Sequence, residues 1–178
     1  MMKKNRHRTI LLLMLGSTLH PVAADPVQVN ITGKVIASPC SLDTANSDLA
    51  IDLGNIKVAS MKVPGTYGGT ERLFNLVLKN CPSNTSRVVA TFSGVADEDD
   101  ATLFANTGSA KGVGIKVKTR DEPYSATTVR PDQSTWVLPV ESATKSANLA
   151  FASRVYTTTG NVTTGTISAV MQVTFTYQ

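Results

Sequence analysis

Ile167-Ser168-Ala169-Val170-Met171-Gln172-Val173-Thr174-Phe175-Thr176-Tyr177-Gln178 decides the fold. Ile167, Ala169, Met171, Val173, Phe175 and Tyr177 fall on one face of an extended chain. Ser168, Gln172, Thr174, Thr176 and Gln178 fall on the other, with Val170 the one exception. A strict period of two, rich in β-branched and aromatic residues, is a strand with one apolar face. The same period recurs upstream. Val27, Val29, Ile31, (Gly33) and Val35 alternate with polar residues, and so do Leu49, Ile51 and Leu53. Leu73-Phe74-Asn75-Leu76-Val77-Leu78 is a denser apolar run, which predicts a strand covered on both faces. Further strands are predicted at Val88 to Phe92, Val113 to Val117, Trp136 to Leu138 and Leu149 to Tyr156, with Thr166 to Gln178 last. Turn chemistry punctuates them: Pro64-Gly65, Gly68-Gly69, Asn106-Thr107-Gly108 and Thr159-Gly160-Asn161. Many short strands without a sustained helical stripe predict an all-β sandwich or barrel.

The opening residues read differently. Lys3, Lys4, Arg6 and Arg8 precede the apolar stretch Thr9 to Leu19, and Val22-Ala23-Ala24 offers small residues for cleavage. Residues 1–24 are therefore expected to be a secretory signal peptide, too short in its apolar part to span a membrane. No second apolar span follows, so the product is expected to be released. The leader carries the chain's whole basic excess: the 17 Lys and Arg fall to 13 beyond it, against 13 Asp and Glu. A charge-balanced mature surface argues against nucleic acid or anionic lipid as a partner. Both histidines, His7 and His20, also lie in the leader. The mature chain thus lacks the usual general base near neutral pH and the commonest metal ligand. No catalytic residue, metal site, cofactor or small-molecule substrate is expected.

Cys40 and Cys81 are the only cysteines. In an oxidising, exported setting an isolated pair reads as a disulfide; the alternative is two buried thiols. Other signals have plainer readings. Ser142-Ala143-Thr144-Lys145 matches a Ser-x-x-Lys motif but lacks its companion motifs. Asp97-Glu98-Asp99-Asp100 lacks the spacing of a calcium loop and reads as a solvated acidic turn. Gly108 to Gly114 precedes a strand and not a helix, so it reads as a hairpin and not a phosphate loop. Trp136 reads as a core residue or a groove wall.

Two readings fit the alternating ends: ordinary edge strands of a closed sandwich, or a first segment intended for the open sheet edge of another molecule. The sequence resembles the chaperone–usher pilus (fimbrial) subunit family, and within it the minor tip-adaptor subunit of type 1 fimbriae. The resemblance rests on Val29-Asn30-Ile31-Thr32-Gly33-Lys34-Val35-Ile36, Ser38-Pro39-Cys40-Ser41-Leu42, Leu78-Lys79-Asn80-Cys81-Pro82 and the ending Phe175-Thr176-Tyr177-Gln178. It implies an incomplete immunoglobulin-like β-sandwich lacking its last strand, completed by a donor strand from a partner. The implied organisation is a donor-strand extension at residues 25–36 and a pilin domain at 37–178. The implied donor residues are Val27, Val29, Ile31, Gly33 and Val35. The implied acceptor groove and chaperone-binding strand are Ile167, Ala169, Met171, Val173, Phe175, Tyr177 and Gln178, with the chaperone also holding the Gln178 carboxylate. The implied partners are a periplasmic pilus chaperone, an outer-membrane usher and neighbouring fimbrial subunits, adhesin and rod or other tip subunits. The implied destination is an extracellular fimbria on a Gram-negative cell, reached through the periplasm. A tip adaptor joining adhesin to rod is the first reading. A self-polymerising rod pilin and a secreted carbohydrate-binding sandwich are the alternatives.

Overall fold

A computed structural model describes Thr32, residues 39–126 and residues 128–178. Among these described residues, eight strands make two antiparallel sheets. The first sheet runs in the order β1 (Ser41–Leu42), β2 (Thr66–Lys79), β7 (Ala147–Thr157), β5 (Gly114–Thr119), β4 (Phe104–Ala105). The second runs β6 (Asp132–Pro139), β3 (Arg87–Gly94), β8 (Met171–Tyr177). From β2 onward, each connection except β4 to β5 carries the chain across to the other sheet, so neighbours in space are rarely neighbours in sequence.

The core lies between the sheets and centres on Phe151 of β7. Phe74 of β2 stacks on it at 5.0 Å, while Phe92 of β3 and Trp136 of β6 approach edge-on, each at 5.7 Å. Stacked and edge-to-face rings satisfy the aromatic quadrupole while burying large apolar area. One ring from β7 thus binds both sheets together. In-register apolar pairs extend the same packing: Phe74↔Phe151 and Leu76↔Leu149 in one sheet, Val88↔Leu138 and Ala90↔Trp136 in the other.

Cys40 and Cys81 form a disulfide, their Cα atoms 4.3 Å apart. It ties the residue before β1 to the residues just after β2, where Ser41 pairs with Lys79 and Leu42 with Leu78. Closing a loop of this length stabilises the fold by roughly 4 kcal/mol on the chain-entropy view.

Four sequence expectations need correcting. The run at Leu73–Leu78 is not covered on both faces: Phe74, Leu76 and Leu78 are buried, but Leu73 is exposed and Val77 half-buried. Only one face of β2 meets the opposite sheet. Gly68-Gly69 is not a turn; it lies inside β2 at a break in register between Gly68 and Arg72, with Gly69 at φ +67°. A side chain at Gly68 would run into Met61 Sδ and into Ile56. The bulge is therefore the seat on which both rest. Leu49, Ile51 and Leu53 form no regular strand. Polar side chains there replace the ladder: Ser47 Oγ accepts from the Val77 N–H (2.9 Å) and Asp48 Oδ2 from the Asn75 N–H (2.9 Å). The final strand also begins later than its pattern, at Met171 and not Thr166.

Candidate functional site: an open groove beside the last strand

β8 pairs with β3 along one edge, and among the described residues its other edge meets no strand. The burial pattern records the consequence. Every apolar residue from Ile167 to Tyr177 on the inward face is half-buried, and every alternate residue is exposed. By contrast, Val88, Ala90 and Phe92 on the neighbouring strand are fully buried. Ile167, Ala169, Met171, Val173, Phe175 and Tyr177 pack against the core but do not complete it.

Beside this face runs a groove of about 840 Å³. One wall is Gly165 to Ala169 with Met171, Val173 and Phe175; the other is Asp48 to Ile56, and the floor is made by Phe74, Leu76, Phe104, Ile115 and Val117. From Ile167 to Phe175 the wall presents five inward side chains, which at strand spacing is roughly 26 Å. The floor of the groove is apolar, while its walls mix apolar side chains with polar ones, among them Asn55, Thr166 and Ser168. Among the described residues, the ionisable ones lining it are Asp48 and Asp52, on the far wall. The groove is long and open, with room for an extended chain along its axis.

The far wall is fixed at both ends. Near its start, the Asp43 and Asp48 N–H groups donate to the carbonyls of Val77 and Asn75, each at 2.8 Å. Asp43 is itself held by Asn46 Nδ2 (2.8 Å) and Lys79 Nζ (3.0 Å). The hydrogen bond from Asn46 first, and then Lys79, hold the Asp43 carboxyl below the usual aspartate range. At its other end Ile56 rests on the Gly68-Gly69 bulge. Between these anchors, Asp52 Oδ1 accepts from the Gly54 N–H at 2.8 Å and turns the chain.

Of the residues expected to form the groove, Ile167, Ala169, Met171, Val173 and Phe175 line it. Tyr177 and Gln178 do not; they lie beyond its end. There the Gln178 carbonyl accepts from the N–H groups of Ser86 (2.6 Å) and Arg87 (2.9 Å). Burial pushes the Tyr177 hydroxyl pKa up. The far wall and floor were not foreseen as groove residues. The Leu49-Ile51-Leu53 alternation was the signal for the wall. The expected donor residues Val27, Val29, Ile31, Gly33 and Val35 lie outside the described residues. Trp136 contributes to the core and not to the groove.

The remaining signals resolve as turns. Ser142 to Lys145 is a tight turn closed by Glu141 and Ser146, with Lys145 at φ +50°. Asp97 Oδ1 accepts from the N–H groups of Asp99 and Asp100, and desolvation raises its pKa. Among the described residues no cluster of His, Cys, Asp or Glu could hold a metal ion, and no helix is long and apolar enough to cross a membrane.

Among the described residues the fold is an all-β, immunoglobulin-like sandwich, incomplete along its last strand, and its distinctive feature is the open groove beside that strand. The chain belongs to the fimbrial protein family, whose model matches residues 29–178. It is 32% identical over 176 residues to Protein FimG of Escherichia coli, spanning 99% of each chain. It is 31% identical over 157 residues to the S-fimbrial adhesin protein SfaS of Escherichia coli, spanning 84% of this chain and 83% of that one. Among solved structures, the CupB6 tip adhesin from Pseudomonas aeruginosa superposes with a TM-score of 0.55 at 22% identity. That match covers 69% of this chain and 33% of the adhesin, so this chain spans about a third of that protein's length and the likeness is one of fold. The family is one of structural fimbrial subunits, components of extracellular surface appendages.

Proposed function

We propose that this chain is a chaperone–usher fimbrial subunit assembled by donor-strand exchange, and that it serves as a minor tip adaptor between adhesin and rod. The observation that carries the assembly mechanism is the half-exposed apolar face of β8 beside an open groove of about 840 Å³. A strand laid there would gain a backbone ladder from the free edge of β8 and bury alternate side chains against the floor. Val27, Val29, Ile31, Gly33 and Val35 supply five alternating positions, as many as the five inward residues from Ile167 to Phe175. Burying the four branched side chains among them contributes roughly 6–12 kcal/mol before ordering costs. That is comparable to the stability of a whole domain. An empty groove makes a marginal subunit with an aggregation-prone edge; a filled one makes a persistent joint.

In this reading residues 1–24 direct export, residues 25–36 are the strand given to a neighbour, and residues 37–178 are the accepting domain. A periplasmic chaperone covers the groove and the β8 edge until an outer-membrane usher brings the next subunit, and the product is displayed outside a Gram-negative cell. The adaptor role is favoured by the full-length similarity to FimG. The test is periplasmic expression with and without the cognate chaperone, with fibres then isolated from a complete system. The expected result is accumulation only with the chaperone, and short tips lacking rod when the chain carries Ile31→Asp. Stable accumulation without the chaperone would contradict strand exchange, and its presence throughout the rod would contradict the adaptor role.

A further inference from the structure

Residues 163–168 hold their place beside the groove without belonging to a β-strand. They lie against the loop at residues 106–111 through a mixed set of contacts. The Ala110 N–H donates to the Thr166 carbonyl (3.1 Å) and the Thr107 N–H to the Ser168 carbonyl (2.8 Å). The Thr166 N–H donates to Ser109 Oγ (2.9 Å), and the Ser109 N–H to Thr166 Oγ1 (3.0 Å). Asn106 is the hub. Its Oδ1 accepts from the N–H groups of Ser168 (2.8 Å) and Gly108 (3.0 Å), while its Nδ2 donates to the carbonyls of Ala110 (2.9 Å) and Thr166 (3.3 Å). The side-chain amide therefore uses both donors and accepts twice. Two glycines permit the close approach: a Cβ on Gly108 would strike the Thr166 carbonyl, and one on Gly165 the Ala110 N–H. The β8 ladder to β3 starts only at Met171, so Ile167 and Ala169 owe their positions in the groove wall to this set of bonds.

We propose that Asn106 is a positioning residue of the groove, preforming the end around Ile167 before any strand arrives. This rests on the strand-accepting reading above. Ordering a loose segment at the moment of binding subtracts from affinity, and a wall already held removes that cost. No other side chain reaches from the 106–111 loop to both Thr166 and Ser168 through separate donor and acceptor atoms. Asn106→Ala loses all four bonds. Asn106→Asp keeps both acceptances and loses both donations.

The test titrates the chain from Asp25 onward, carrying Ile31→Asp to keep its own extension out of the groove, with a peptide covering Asp25 to Ile36. Peptides with Val27→Ala or Val35→Ala complete double-mutant cycles with position 106. Asn106→Ala is expected to weaken the full peptide about tenfold, with Asn106→Asp between it and Asn. The loss is expected to couple to one terminal valine and to be additive with the other, because the clamp touches one end of the groove. Faster amide exchange at Ser168 in the empty Asn106→Ala protein is expected as well. Unchanged affinity in both variants, or equal coupling to both valines, would overturn the proposal and make Asn106 a general support of the fold. Should Asn106→Ala not fold, the Asn106→Asp cycle decides alone. A protein with Asn106 intact that binds no peptide would overturn the strand-accepting reading itself, and the positioning role with it.

Discussion

Phe92 and Val173 stand opposite each other in the ladder between β3 and β8, yet Phe92 is fully buried and Val173 is half-exposed. Directly paired residues on one face of a sheet normally share one environment. Here the core reaches β3 and runs out at β8. If β8 is the strand-accepting edge proposed above, the pair separates what stabilises the domain from what receives the donor strand. Phe92→Ala is expected to destabilise the empty domain by about 3–5 kcal/mol. Val173→Asp is expected to leave urea unfolding of the empty domain nearly unchanged while abolishing peptide binding. Equal destabilisation by both would mean that Val173 already belongs to a closed core.

The disulfide joins the start of the edge strand to the end of β2. Replacing Cys40 and Cys81 together by Ser is expected to lower unfolding free energy by roughly 4 kcal/mol. Denaturant titration of the double variant measures it, and thiol labelling of the unreduced parent should detect no free thiol.

Acid should act on the two structural aspartates in opposite directions. Asp43 has a depressed pKa, so its contribution is present above the ordinary aspartate value and is lost as pH falls through its lowered folded value. Asp97 has a raised pKa, so its contribution is present below the ordinary value and is lost as pH rises through its raised folded value. Asp43→Asn is expected to flatten the fall in melting temperature on acidification. Asp97→Asn is expected to raise the melting temperature at neutral pH, because it removes a partly desolvated charge while keeping an acceptor for the Asp99 and Asp100 N–H groups. Melting curves from neutral pH down to about pH 2 read both signs.

The glycine bulge gives a steric prediction. Gly68→Val would drive a side chain into Met61 and Ile56, the residues that pin the far wall. Overpacking of this kind typically costs about 1–3 kcal/mol. The expected outcome is a lower melting temperature together with weaker peptide binding, read on the same sample.

Much of this architecture was legible because one-sided burial writes a period of two into the chain. The faces of β3, β7 and the last strand follow directly from Val88 to Phe92, Leu149 to Tyr156 and Ile167 to Tyr177. The failures have one physical origin: a sequence shows which residues are apolar but not what lies opposite them. Leu73 joins an apolar run yet faces solvent, because only one side of β2 has a sheet above it. Gly68-Gly69 has turn composition, but its lack of side chains serves Ile56 and Met61. Leu49, Ile51 and Leu53 alternate like a strand, while Ser47 and Asp48 take the hydrogen bonds a strand would have made. The groove wall at Ile167 to Phe175 was readable from alternation together with family resemblance. The Asn106 clamp was not, since the two partners it holds in the groove wall, Thr166 and Ser168, lie about sixty residues away.

The most direct test of the central claim is thermal unfolding of the chain from Asp25 onward, bearing Ile31→Asp, with and without the peptide Asp25 to Ile36. The account predicts a marginally stable protein whose melting temperature rises by tens of degrees with the peptide, consistent with roughly 6–12 kcal/mol of apolar burial before ordering costs. It also predicts that the rise disappears when the peptide itself carries Ile31→Asp. A protein already stable alone, and indifferent to both peptides, would show a closed sandwich and contradict the account.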